Sequence, residues 1–272
     1  MKSFTIALAT AKEAIRQPAF FVLTFIAAAW LFWSIYVPYF TFGEDIKMYK
    51  DTGLTTISFV CLLLALLTSS STVAEEIEGK TAITLLSKPI NRRQFIIGKY
   101  LGIEMSVLLM FLILGVGFAL GVFFKYEYDL RENAGGAVDR ATQWKHVFQV
   151  LPGLVLGFFE ISVLTAVSVA ISTRLPMLVN LVVCISIFFL GHLTPVLVQA
   201  TENKSNELVH FMAQLFGFAL PELEFFNVSP AISTGAVIPW LGYVLPSLGY
   251  CLLYSGAALL FAFLLFEDRD LA

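Results

Sequence analysis

Residues 95–124 read FIIGKYLGIEMSVLLMFLILGVGFALGVFF. Lys99 and Glu104 are its only charged residues, and both lie in the first half. A helix needs about 20 mostly apolar residues to cross a bilayer, and this stretch is long enough to tilt or to project beyond the hydrocarbon. Working outward from it, five more stretches qualify: Ala19–Phe40, Leu54–Ala74, Val147–Thr173, Leu175–Ala200 and Pro239–Phe266. The composition agrees, with 58% hydrophobic and 14% charged residues. Soluble domains carry about 25% charged residues. The expected fold is therefore all-α: a polytopic integral membrane protein with six transmembrane helices, forming one domain over residues 1–272 and with the lipid bilayer as its solvent.

The flanks of these spans set the expected topology. With the N-terminus inside, ten of the 17 Lys and Arg residues fall on the cytoplasmic side, among them Lys12, Arg16, Lys80, Arg92, Arg93 and Arg174. They crowd the span ends, where the positive-inside rule applies best. Lys47, Lys50, Lys125, Arg131, Arg140, Lys145 and Lys204 fall outside. Both termini are thus expected in the cytoplasm of a multi-pass protein of the cell (inner) membrane. The apolar stretch after Pro18 exceeds the roughly 7–15 residues of a signal-peptide core and lacks a small-x-small cleavage site, so it reads as an uncleaved first span.

Two further segments have helical spacing. In residues 1–17, Phe4, Leu8, Ala11 and Ile15 form a stripe, with Lys2, Lys12, Glu13 and Arg16 off it. This pattern predicts an amphipathic helix lying in the headgroup region. Between the last two spans, within an extracytoplasmic segment 201–238, Asn206–Leu220 is apolar with polar residues at Glu207, His210 and Gln214. It is too short to span and is expected on or in the outer leaflet. Pro221 ends it, and Asn227-Val228-Ser229-Pro230 reads as a turn.

The segment between the second and third spans, 75–94, carries the most information: EEIEGKTAITLLSKPINRRQ. Glu75, Glu76 and Glu78 give span two an acidic end, and Gly79 breaks the helix. Ala82–Ser87 forms a short apolar helix that Pro89 stops. Asn91 then starts the next helix, with Gln94 placed for a capping box. The product is a short transverse helix held between two long spans, suited to docking a soluble partner.

This segment resembles the conserved cytoplasmic loop of type-2 ABC transporter permeases. The resemblance rests on Glu75, Gly79, Leu85, Leu86, Ser87, Pro89, Ile90, Arg92, Gly98 and Lys99 in order and spacing. The amphipathic N-terminal helix and the six spans agree with that layout. The resemblance implies that the loop is a coupling helix docking a separate ABC ATPase subunit. The docking residues would then be Glu75, Glu78, Gly79, Leu85, Leu86, Pro89, Arg92 and Arg93. It also implies pairing with a second permease copy or a paralogue.

Other features carry less. Gly79-Lys80-Thr81 resembles the end of a phosphate-binding loop, but Ala74 stands where that loop needs its first glycine and a span, not a strand, precedes it. No other nucleotide motif, HExxH or GxSxG is present, so no catalytic residue and no cofactor are expected. Cys61, Cys184 and Cys251 lie in apolar runs without metal-ligand spacing, so no metal site is expected either. No basic tract suggests nucleic acid. Glu160, at the centre of span four, must face the bundle or water. It is a candidate pathway residue, or else a hydrogen-bonded contact to a neighbouring span. Glu104 is placed to reach Lys99 or water, and His192 stands alone in an apolar run. Gly117-x-x-x-Gly121 and Gly153-x-x-x-Gly157 permit close helix contacts. The leading expectation is a transport subunit. The alternatives are a membrane anchor that recruits a cytoplasmic protein through the same loop, and an ion-coupled secondary transporter using Glu160.

Overall fold

The computed structural model describes residues 2–37, 45–75, 91–133, 139–201 and 207–267. Among these, every regular element is helical. Helix α1 is Lys2–Arg16, α2 Pro18–Ser34 and α3 Asp45–Ser69, the last continuing as a π-helical turn over Ser70–Glu75. Then follow α4 (Arg92–Asn133), α5 (Arg140–Ser172) and α6 (Met177–Thr201). Helix α7 is Glu207–Ala219, α8 is Ser229–Ser233 and α9 is Leu245–Glu267, reached through a π-helical turn at Trp240–Val244.

Among the described residues, five helices are long and apolar enough to cross a membrane: α3, α4, α5, α6 and α9. The expected first span is shorter than the sequence suggests. Helix α2 has 17 residues, about 26 Å at 1.5 Å per residue, the lower limit for a span. It joins α1 at a 60° bend, and the two together make the sixth candidate. Gln17 is the cause. The residue before a proline is driven from helical to extended backbone, and Gln17 has φ −64° and ψ 139° ahead of Pro18. Elsewhere the helices overrun their apolar stretches. Helix α4 has 42 residues, about 63 Å, twice the hydrocarbon thickness.

Helix α5 is the centre of the bundle. Its most apolar stretch is 67% buried, against 17% for α6 and for α9. Helices α3, α4, α6 and α9 surround it. The apolar side chains facing outward, among them Phe25 and Trp33 on α2, Val182 on α6 and Leu253 on α9, are what a bilayer covers.

Helix α1 is packed otherwise than a simple amphipathic reading implies. Ala7, Thr10, Ala11 and Ala14 are buried, whereas Phe4 and Leu8 are exposed. The buried face lies on α4 at two glycines. A Cβ on Gly98 would sit 2.7 Å from Ile6 Cβ, and one on Gly102 would sit 2.6 Å from the Ala7 carbonyl. Ala11 thus belongs to the protein face, and Phe4 and Leu8 alone keep the outward apolar face of the expected stripe.

Candidate functional site

Two polar clusters sit at the α1 end of the bundle, where the segment 75–94 leaves and re-enters. The first starts from the run Thr68-Ser69-Ser70-Ser71-Thr72. Hydroxyls in a helix can donate back to carbonyls three or four residues earlier and loosen the ladder. Here Thr72 Oγ1 donates to the Thr68 carbonyl at 2.7 Å and Ser69 Oγ to the Leu66 carbonyl at 3.1 Å. The helix widens into its π-helical turn at this run, a form often found at functional positions. Asn180 of α6 fastens it. Its carboxamide nitrogen lies 2.7 Å from Ser70 Oγ, 2.9 Å from Ser168 Oγ and 2.8 Å from Ser172 Oγ. Two N–H groups serve three hydroxyls, so one is shared. Ser69 and Ser168 share a further hydrogen bond of 2.5 Å. These hydroxyls are buried, and they tie α3, α5 and α6 together at the exit to residue 75.

The second cluster guards the re-entry. Arg92 donates to the Phe266 carbonyl at 2.9 Å and lies 5.6 Å above the Phe266 ring, joining the start of α4 to the end of α9. Its neighbour Arg93 is exposed. The Gln94 side chain accepts from the Asn91 N–H at 3.4 Å, which is one half of the expected capping box. Of the sequence-derived docking residues, Glu75 closes the π-helical turn. Glu78, Gly79, Leu85, Leu86 and Pro89 lie outside the described residues, as does the short helix expected at 82–87. The structure thus separates Arg92 and Arg93: one clamps α9, the other faces outward.

At the opposite end, charged residues assigned to outer loops are buried instead. Lys50 donates to Gln149 Oε1 at 2.9 Å and lies 2.8 Å from His146 Nδ1. Gln149 in turn donates to the Gly235 carbonyl at 3.1 Å. Lys125 pairs with Asp129 at 3.1 Å and with Asp45 at 3.8 Å. Asp139 caps α5 by accepting from the Ala141 N–H and the Thr142 hydroxyl. These contacts let α3, α4 and α5 continue as helices beyond their apolar stretches.

Between the two ends lie two buried carboxylates on opposite sides of α5. Glu104 of α4 accepts from Ser162 Oγ at 2.7 Å, a partner on α5 that the sequence reading did not name. Glu160 sits two residues earlier on α5, about 200° around the helix at 3.6 residues per turn. It faces α6, where His192 Nε2 stands 3.4 Å from Glu160 Oε1. Sequence reading treated His192 as solitary. The adjacency of α5 and α6, which pairs it with Glu160, is a tertiary fact. Both carboxylates keep one buried oxygen without a hydrogen bond among the described residues.

Above Glu160 the connecting segment enters the bundle. Helix α7 keeps most of its described side chains exposed, including Phe211 and Phe218. The part that buries itself comes later, at Leu223, Phe226, Val228 and Ile232. Two glycines admit it. A Cβ on Gly191 would sit 2.8 Å from Leu223 Cδ1, and one on Gly153 would sit 2.7 Å from Ile232 Cδ1. The inserted segment therefore lies nearer the centre than the helix before it.

The sequence model of one protein family, the ABC-2 family transporter proteins, matches residues 4–271. No curated protein matches the chain.

Proposed function

The chain belongs to the ABC-2 family of transporter proteins, and from that premise we propose that it is the membrane-spanning permease subunit of an ATP-driven transporter. Residues 1–272 act as one permease domain. Together with a second copy or a paralogue it encloses the substrate pathway, to which Glu160 contributes. Segment 75–94 is the coupling loop and docks a separate ATPase subunit. The α1 end faces the cytoplasm, with both termini, and the protein resides in the cell membrane. ATP hydrolysis belongs to the partner.

The observation that carries this reading is the anchoring of both ends of 75–94. Asn180 holds the outgoing π-helical turn at Ser70, and Phe266 holds the incoming Arg92. A loop fixed at both ends passes a displacement on to α3, α4, α5, α6 and α9 instead of absorbing it. Buried anchors dominate the energy of such interfaces, at about 2 kcal/mol or more for a hot spot, while rim charges set orientation and on-rate. The test is Leu85→Ala combined with Leu86→Ala in the complex reconstituted in nanodiscs. The double variant should insert normally, lose the co-purifying ATPase subunit and lose stimulated ATP hydrolysis. Retention of the subunit at full stoichiometry and activity would refute the coupling role and favour an anchoring protein.

A further inference from the structure

Glu160 lines a cavity of about 250 Å³. At about 30 Å³ per water, that is space for about eight waters or for a small organic ion. The Thr55 and Ser58 hydroxyls of α3 and the Asn227 carboxamide line it, together with the rings of Phe59, Phe188 and Phe226. Glu160 Oε1 is buried here and accepts no hydrogen bond among the described residues. An unsatisfied carboxylate at membrane depth calls for a compensating positive charge.

His192 stands beside that carboxylate. Its Nδ1 lies 3.0 Å from the Phe188 carbonyl. Its Nε2 lies 3.4 Å from Glu160 Oε1 without hydrogen-bond geometry, so that oxygen stays unsatisfied among the described residues. The other carboxylate acting on Glu160 is Glu224 of the inserted segment, which accepts from Asn227 Nδ2 at 3.2 and 3.3 Å. From α3 the wall receives hydroxyls and apolar groups only. Among the described residues, Glu160 is thus the one ionisable residue in the lining, which holds no fixed cation; His192 reaches Glu160 and Glu224 reaches Asn227 without lining the cavity themselves.

The lining chooses between kinds of cation. A hard metal ion needs a nearly complete shell of oxygens to replace its water, and no cluster of three ligating His, Cys, Asp or Glu side chains occurs among the described residues. A protonated amine needs only a carboxylate and one or two hydroxyl acceptors, and its carbon chain and charge are both favoured by aromatic walls. We propose that this cavity binds a small primary alkylammonium ion, whose charge takes the place of a proton on Glu160. The exchange balances: the ammonium ion enters with its charge, the Glu160 carboxyl gives up its proton to become the carboxylate, and one proton leaves. The proposal rests on the permease reading for its meaning in transport, but the binding itself is a property of this chain alone.

The experiment uses the full-length chain in nanodiscs, without an ATPase subunit, titrated with ethylammonium chloride and followed by saturation-transfer NMR. Sodium chloride at the same ionic strength is the reference. Binding should saturate, release one proton per ion bound, and strengthen about tenfold per pH unit while Glu160 still holds its proton, as one-for-one exchange requires. Glu160→Gln should weaken binding at least tenfold and remove the pH slope. Thr55→Val with Ser58→Ala should weaken it several-fold and keep the slope. Should Glu160→Gln fail to fold, the wild-type slope and proton release decide the matter. Absence of saturable binding, unchanged binding in a folded Glu160→Gln protein, or equal competition by sodium would overturn the proposal. Loss of ethylammonium binding alongside intact ATPase stimulation would sink the cation site and leave the permease reading standing. The reverse result would do the opposite.

Discussion

The Asn180 carboxamide nitrogen lies 2.7 Å from Ser70 Oγ, joining α6 to the first residue of the π-helical turn that ends α3. The same nitrogen reaches Ser168 and Ser172 on α5, so one side chain fixes three helices at the exit to the proposed coupling loop. Interhelical hydrogen bonds in membranes contribute about 0.6 kcal/mol each on average. Asn180→Ala is therefore expected to cost about 1–2 kcal/mol, read as a lower melting temperature by tryptophan fluorescence in detergent. In the assembled complex it should also reduce stimulated ATP hydrolysis more than it reduces ATPase binding. An unchanged melting temperature would show that the hub holds nothing together.

The two glycines of Gly117-x-x-x-Gly121 should behave differently. A Cβ on Gly121 would sit 1.9 Å from Tyr49 Oη, whereas one on Gly117 would meet nothing within 4 Å. Overpacking a tight contact costs about 1–3 kcal/mol. Gly121→Ala should thus lower stability by that amount, and Gly117→Ala should be neutral or slightly stabilising. Equal effects in a thermal melt would contradict the close approach of α3 to α4.

Arg92 and Arg93 divide between structure and docking. Arg92→Ala removes the link to the Phe266 carbonyl and ring and should lower the melting temperature of the isolated chain. Arg93 is exposed, so Arg93→Ala should leave that temperature unchanged and slow association with the ATPase subunit, most clearly at low salt. The two readouts are a melting curve and the association rate by surface-immobilised binding. An exchange of these two phenotypes would invert the assignment.

Gln149 links buried Lys50 to the Gly235 carbonyl. Hydrogen bonds to charged groups contribute about 1.5–3 kcal/mol. Gln149→Leu should therefore destabilise the chain by about that amount, because it leaves Lys50 with His146 and frees the Gly235 turn. Replacing both ends, Lys50→Met with Gln149→Leu, should recover part of the loss, since no buried charge is then left short of a partner. A double-mutant cycle with no coupling would refute the link.

Much of this molecule follows from its sequence by simple physics. Apolar stretches of span length, such as 95–124, can be satisfied only in lipid, and lipid in turn requires backbone hydrogen bonds to be closed within each helix. Pro18 determined the bend at Gln17 through the steric limit it places on its predecessor. Ordered motif residues from Glu75 to Lys99 were enough to suggest the family that the match over 4–271 establishes. The helix limits were less legible. Hydropathy reports where lipid ends, whereas α4 and α5 run on into polar surroundings where Lys125–Asp129 and the Asp139 cap sustain them.

Which polar groups meet was decided by tertiary structure alone. A sequence shows Glu160, His192, Asn180 and Lys50 as isolated exceptions in apolar or loop contexts, and each must find a partner. Partner choice depends on which helices are neighbours and how each is rotated, and apolar surfaces that are equally at home in lipid leave both weakly specified. Packing at glycines settles them: Gly98 and Gly102 seat α1, Gly153 and Gly191 admit the inserted segment. Only after those contacts are made does His192 stand 3.4 Å from Glu160 and Asn180 reach Ser70.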